Sequence, residues 1–230
     1  GMIRSGVTPL LAMVGALAMG MVFGLISGLL VAKGRLQPFI ATLITMTVYR
    51  GLTMIFSNGK PISQLGNDAF LNGIGKGSFL NIPVPVWILA IVFLLFYFVL
   101  NKTVFGRKVY AVGSNEKAAK LAGINISLTK IWVYVVSGFT AAFAGLILLS
   151  RLGSAQPTIG AGYELDAIAA VALGGTSMNG GRGKIYGTLI GVLIIAVLNN
   201  GLNILNVSSY YQDVVKGLVI LLAVLSDRKR

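Results

Sequence analysis

Cysteine and histidine are both missing from this chain of 230 residues. Without cysteine there are no disulfides and no thiolate chemistry; without histidine the commonest metal ligand and general base is gone. Negative charge is scarce, with six Asp and Glu against nineteen Lys and Arg, and charged residues together make up 11% of the chain. A formal charge of +13 suits a nucleic-acid binder only if the cations gather into a patch, so their positions have to decide. Phosphate-loop signatures fail too. Gly183-Lys184 has Met178 where the first glycine of such a loop belongs and Ile185 where the magnesium-binding hydroxyl belongs. Gly73-Ile-Gly75 has Ser78 in place of the third glycine of a dinucleotide fingerprint. Glu164 and Asp166 stand two residues apart, a helical spacing that points them to different faces and argues against a shared acid/base site. No enzyme activity, cofactor or metal is expected.

Apolar residues are what the chain has in excess: 56% of the total, with a mean hydropathy of +0.85. That composition lies outside the soluble globular range and marks an integral membrane protein. Runs at residues 7–32, 39–56, 86–100, 131–149, 185–205 and 214–225 read as spanning segments. Ala12, Ala16, Gly20, Gly24 and Gly28 recur every fourth residue in the first run, and Ser137, Ala141 and Gly145 do so in the fourth. Such faces are nearly bare of side chains and let two backbones approach closely. Arg50, in the second run, is expected to snorkel to the nearer interface. Residues 57–83 read as an exposed loop with a short surface helix. Residues 165–173 are apolar but too short to span, and they run into Gly174-Gly175-Thr176-Ser177 and Gly180-Gly181-Arg182-Gly183-Lys184, the pattern of a broken helix. Glu164 and Asp166 are placed to cap that short helix. The expected fold class is all-α: a polytopic bundle of about six spanning helices plus one short or broken helix, in a single transmembrane domain over residues 1–230.

Residues 101–130 form the longest polar interval between two apolar runs. Ser114 or Asn115 can serve as N-cap, Ala118, Leu121 and Ala122 share a helical face, and Gly123 supplies the stop. This predicts one short amphipathic helix, too short to be stable without a surface to lie on. If this loop is cytoplasmic, and the broken segment is counted as one crossing, alternation places Lys33 and Arg35, the Arg182/Lys184 turn and the C-terminal tail on the same side, which then carries thirteen of the nineteen cations: two, six, two and three. Positive charge is thus a topology signal, and no basic patch remains for nucleic acid.

Several blocks carry a family likeness. They are Gly106-Arg107, Tyr110-Ala-Val-Gly113-Ser-Asn115-Glu-Lys-Ala118-Ala119-Lys-Leu-Ala-Gly123-Ile124, Ser154-Ala-Gln-Pro157, Gly162-Tyr-Glu-Leu-Asp-Ala-Ile-Ala-Ala170, Leu173-Gly-Gly-Thr-Ser177 and Leu198-Asn-Asn-Gly-Leu-Asn203. In order and spacing they resemble the permease subunits of bacterial ABC monosaccharide importers. The resemblance implies a multi-pass inner-membrane protein, C-terminus cytoplasmic, that forms the pathway for a monosaccharide, with ribose the expected sugar. It implies a second permease copy in a homodimer, an ABC ATPase subunit on the cytoplasmic face and a periplasmic sugar-binding protein. Gly113, Asn115, Glu116, Ala118, Ala119, Leu121 and Gly123 would form the coupling helix that docks the ATPase. Relatives carry further N-terminal membrane segments with a Gly-Ile-Asp-Leu-Ser block, so the chain is expected to be truncated at that end.

A neutral polyol calls for amide and hydroxyl partners along its path and few full charges. Gln156, Thr176, Ser177, Asn199, Asn200 and Asn203 are the candidates, and each could equally satisfy broken backbone or pair helices. Two other functions stay open: an ATPase-independent secondary carrier or facilitator, and an ABC permease for branched-chain amino acids.

Overall fold

The computed structural model describes residues 8–63 and 69–227. Its elements are α1 (Pro9–Ala32), α2 (Pro38–Ser57), α3 (Ala69–Lys76), β1 (Ser78–Phe79), β2 (Ile82–Pro83), α4 (Val84–Lys102), α5 (Val104–Ser114), α6 (Glu116–Leu121), α7 (Ile126–Leu152), α8 (Tyr163–Leu173), α9 (Ile185–Ile204) and α10 (Ser209–Asp227). Among the described residues, α1, α2, α4, α7 and α9 are long and apolar enough to cross a membrane. The sixth expected segment lies within α10, which has 19 residues. With 11 residues, α8 reaches only about 16 Å at 1.5 Å per residue, roughly half the hydrocarbon thickness.

The chain divides into two compact units, one made of Gly1–Val92 and Asn125–Ile159, the other of Phe93–Ile124 and Gly160–Arg230. In the first, α1 lies along α7 on its glycine face. A Cβ on Gly20 would stand 2.5 Å from the Ala142 Cβ, and one on Gly28 would stand 3.0 Å from the Ile131 Cα. Gly24 and Gly138 meet in the same seam. On the α7 side of this contact it is Gly138 and Ala142 that face α1, not the Ser137, Ala141 and Gly145 series, of which Gly145 has nothing within 4 Å. Two overlapping series of small residues run through α7, and four-residue spacing alone does not choose between them. Helix α2 joins through Ser27 Oγ, which donates to Thr45 Oγ1 at 3.2 Å, and through the Tyr49 hydroxyl, which donates to the Phe23 carbonyl at 3.1 Å. Arg50 is exposed.

The expected surface loop holds α3 and a hairpin. Leu80 and Asn81 turn between β1 and β2 at φ of 52° and 60°, the left-handed pair of a tight two-residue hairpin. Trp87 Nε1 donates to the Phe79 carbonyl at 3.2 Å and holds the hairpin against the start of α4.

In the second unit, Ala169 and Ala170 of α8 and Ile195 of α9 form a small core, with Leu173 and Val219 packed against it. Gly174 and Gly187 bring the two backbones together, since a Cβ on Gly174 would stand 2.5 Å from the Gly187 carbonyl oxygen. The polar interval 101–130 holds two helices before α7, correcting the single helix expected there. Thr103 opens α5 by accepting from the Gly106 N–H at 3.3 Å.

Candidate functional site

Asn115 ends one helix and starts the next. It is the C-cap of α5 and the N-cap of α6, where its Oδ1 accepts from the Ala118 N–H at 3.0 Å. Glu116 in the first turn and Lys120 in the last suit the helix dipole. At the other end the Gly123 N–H donates to the Lys120 carbonyl and the Ile124 N–H to the Ala119 carbonyl, each at 3.0 Å, with Gly123 at φ 79°. This paired bonding closes the helix in a left-handed turn that glycine adopts without strain.

Only one face of α6 is turned inward. Ala119 is 4% exposed, whereas Leu121 is 91% exposed, and Ala118, Ala122 and Gly123 are open as well. Of the seven residues expected to couple, Asn115, Glu116, Ala118, Leu121 and Gly123 lie on the open surface; Ala119 supports α6 from beneath. Gly113 lies one turn earlier, on α5, against the loop that follows α8.

That loop, residues 174–184, is folded tightly on itself. The Thr176 N–H donates to the Val171 carbonyl at 3.2 Å, and the Ser177 N–H donates to the Arg182 carbonyl at 2.9 Å. Tyr110 of α5 reaches it, the hydroxyl donating to the Gly183 carbonyl at 3.0 Å. Beside this contact is a cavity of about 330 Å³, lined among others by Leu100, Tyr110, Gly113, Thr176, Ser177 and Thr188. Lys184, at the start of α9, has its ammonium pKa raised by hydrogen bonding to Tyr186.

Within the second unit the candidate solute residues are not brought together. Thr176 and Ser177 line this cavity beside the start of α9. Asn199 lies 14 residues further along the helix, about 21 Å away by helical rise. There Asp166 of α8 meets Lys216 of α10, Nζ lying 3.1 Å from Oδ1 and 3.3 Å from Oδ2, and Asn199 Nδ2 donates to Asp166 Oδ2 at 3.5 Å. Asn203 Oδ1 accepts from Gln212 Nε2 at 2.9 Å. Asn200 is exposed, and Gln156 Nε2 donates to Ser154 Oγ at 3.4 Å in the other unit. The expected capping is divided: Glu164 Oε2 accepts from the Gly162 N–H at 3.1 Å, while Asp166 is committed to Lys216. Tyr110, Lys216 and Gln212 were not among the expected site residues. Lys216 offered one signal, a cation inside an apolar run, which needs a partner.

Apolar helices of spanning length, a half-length helix followed by a glycine loop, and a short polar helix presenting a bare leucine together define a polytopic helical membrane protein. Residues 1–224 match the family described as "Branched-chain amino acid transport system / permease component", and the chain belongs to it. It is 57% identical over 230 residues to the ribose import permease protein RbsC of Bacillus subtilis (strain 168), covering all of this chain and 71% of that one. To the protein of the same name from Escherichia coli (strain K12) it is 54% identical over 226 residues, covering 97% of this chain and 70% of that one. To the L-arabinose ABC transporter permease protein AraH of Azospirillum brasilense it is 42% identical over 220 residues, covering 96% and 64%. No solved structure matches significantly. The chain is thus a multi-pass inner-membrane transporter component and not an enzyme.

Proposed function

We propose that the chain is the membrane permease of an ATP-binding-cassette importer, forming with a second copy the pathway by which a monosaccharide, ribose, enters the cell. An ATPase subunit would bind at the cytoplasmic face, and a substrate-binding protein would deliver the sugar from outside. The observation that carries the coupling role is α6. A leucine 91% exposed on a six-residue helix leaves apolar surface uncovered outside the spanning segments, and a helix this short is stable only when held. Its capping at both ends and its buried Ala119 hold it to the permease; Ala118, Leu121 and Ala122 are left for the ATPase. Closing of the ATPase would push α6, and α5 would carry the push to the spanning helices. In this reading the 101–130 interval and the C-terminus are cytoplasmic.

The solute assignment rests on the relatives. The family description names branched-chain amino acids, yet relatives matching nearly the whole chain at 54–57% identity are named for ribose. The test is co-expression with the candidate ATPase and gentle extraction, comparing the native chain with Ala118→Arg and Leu121→Glu. The native chain should retain the ATPase and both variants should lose it while remaining folded. Uptake of labelled ribose should require ATP hydrolysis and resist competition by leucine. Ribose uptake that survives loss of hydrolysis would instead establish a secondary carrier, and competition by leucine would point to amino-acid transport.

A further inference from the structure

The last turn of α5 and the loop 174–184 touch through backbone. A Cβ on Gly113 would stand 2.7 Å from the Gly181 nitrogen, one on Gly180 would stand 2.7 Å from the Gly113 carbonyl oxygen, and one on Gly181 would stand 2.5 Å from the Ser114 Cα. Gly180 and Gly181 sit at φ of 88° and 73°, so the loop reaches this approach in a conformation that side chains resist. One turn back along α5, Tyr110 is bonded to the Gly183 carbonyl. Close-packed backbone has little slack, so displacement of one side moves the other.

We infer that this glycine clasp is a second transmission contact, carrying the motion of α6 directly to α8 and α9; the inference rests on the reading of α6 as the ATPase-docking helix. The route is short. Asn115 alone separates α6 from the clasped end of α5. Beyond the loop, Gly174 lies against Gly187, and Gly191 lies against the Ala170 carbonyl, so the end of α8 and the first turns of α9 meet backbone to backbone. Tyr110, Gly180 and Gly181 are therefore positioning residues for transport, acting through α8 and α9 and outside the surface that holds the ATPase.

The experiment uses the assembled importer, permease with ATPase and binding protein, in liposomes. Gly180→Ala, Gly181→Ala and Tyr110→Phe are compared with the native chain for ATPase retention, ATP hydrolysis rate and sugar taken up per ATP hydrolysed. Thr45→Val, which loses the bond to Ser27 in the other unit, controls for general destabilisation. All clasp variants should keep the ATPase and hydrolyse ATP, while uptake per ATP falls about three- to tenfold for the glycine variants and less for Tyr110→Phe. Thr45→Val should leave that ratio unchanged. Tyr110→Phe removes one hydroxyl and no packing volume, so it remains informative should either glycine variant fail to fold. A native ratio in Tyr110→Phe and in every glycine variant that folds overturns the inference. Loss of the ATPase from the clasp variants overturns it too, because the contact would then serve docking. A native chain that retains no ATPase removes the reading of α6 itself, and the inference falls with it.

Discussion

Asp166, Lys216 and Asn199 show how one small cluster can hold three helices. The Asp166 and Lys216 side chains are each about one-fifth exposed, at 22% and 21%, and their charges lie in helices packed together in an apolar setting. Asp166 Oδ1 is buried and close to Lys216 Nζ, but no donor is aligned on it as a hydrogen bond, and Asn199 Oδ1 is likewise buried with no hydrogen-bond partner. The pair is therefore held by charge together with one hydrogen bond, from Lys216 Nζ to Asp166 Oδ2 at 3.3 Å. Removing one partner leaves the other uncompensated, which costs far more than the net worth of the pair. Asp166→Asn or Lys216→Met alone should destabilise the chain by about 2–4 kcal/mol, somewhat below a fully buried pair because of the partial exposure. The double variant should recover much of that loss. Thermal unfolding in detergent of the two singles and the double measures it, and strict additivity would show that the two charges do not interact. Little of this site was legible beforehand. The intramembrane lysine pointed to some partner, but its carboxylate lies fifty residues away in the chain, and no local spacing connects them.

At the scale of helices, the glycine seam of α1 was legible because its cause is local: small residues at every fourth position must lie on one face. Its partner face was not, because α7 carries two small-residue series and only the packed structure selects Gly138 and Ala142. Helix α5 was missed for a similar reason. Its eleven residues include Gly106, Arg107, Lys108 and Gly113 and read as polar loop, yet Gly106 is required where α5 turns back on α4. A Cβ there would stand 2.6 Å from the Leu100 Cα, and tertiary contact of that kind overrides helix propensity. The seam makes a directional prediction. Gly24→Leu should push α1 off α7 and destabilise by about 1–3 kcal/mol or more through overpacking. Gly51→Ala, in α2 where nothing lies within 4 Å, should stabilise by about 0.5–1 kcal/mol through the lower backbone entropy of alanine. Thermal retention of the monodisperse detergent peak would separate them, and equal behaviour would mean that the α1–α7 approach is looser than described.

For the whole molecule, hydropathy predicted five spanning helices, α1, α2, α4, α7 and α9, with their ends within five residues, since crossing length and apolarity are set by the bilayer; the sixth expected span falls in α10, which is not among them. Orientation is carried by the cations, of which Arg4, Arg228, Lys229 and Arg230 lie outside the described residues. The six cations of the 101–130 interval are the largest group, and with them in the cytoplasm the crossings of α4 and α2 set the sides of the two preceding loops by alternation. Lys33 then shares the side of Lys117, and Lys60 lies opposite. The absence of native cysteine makes this directly measurable with single cysteines at exposed positions. Lys60→Cys should react with a membrane-impermeant maleimide in cells whose outer membrane has been permeabilised. Lys33→Cys and Lys117→Cys should react only after the inner membrane is opened, in cells lacking the ATPase so that docking cannot protect Lys117→Cys. The reverse pattern would invert the protein in the membrane and remove α6 from reach of any ATP-driven partner. Labelling of both Lys60→Cys and Lys117→Cys in unopened cells would mean that α4 does not cross, and the positive charge would then need an explanation other than topology.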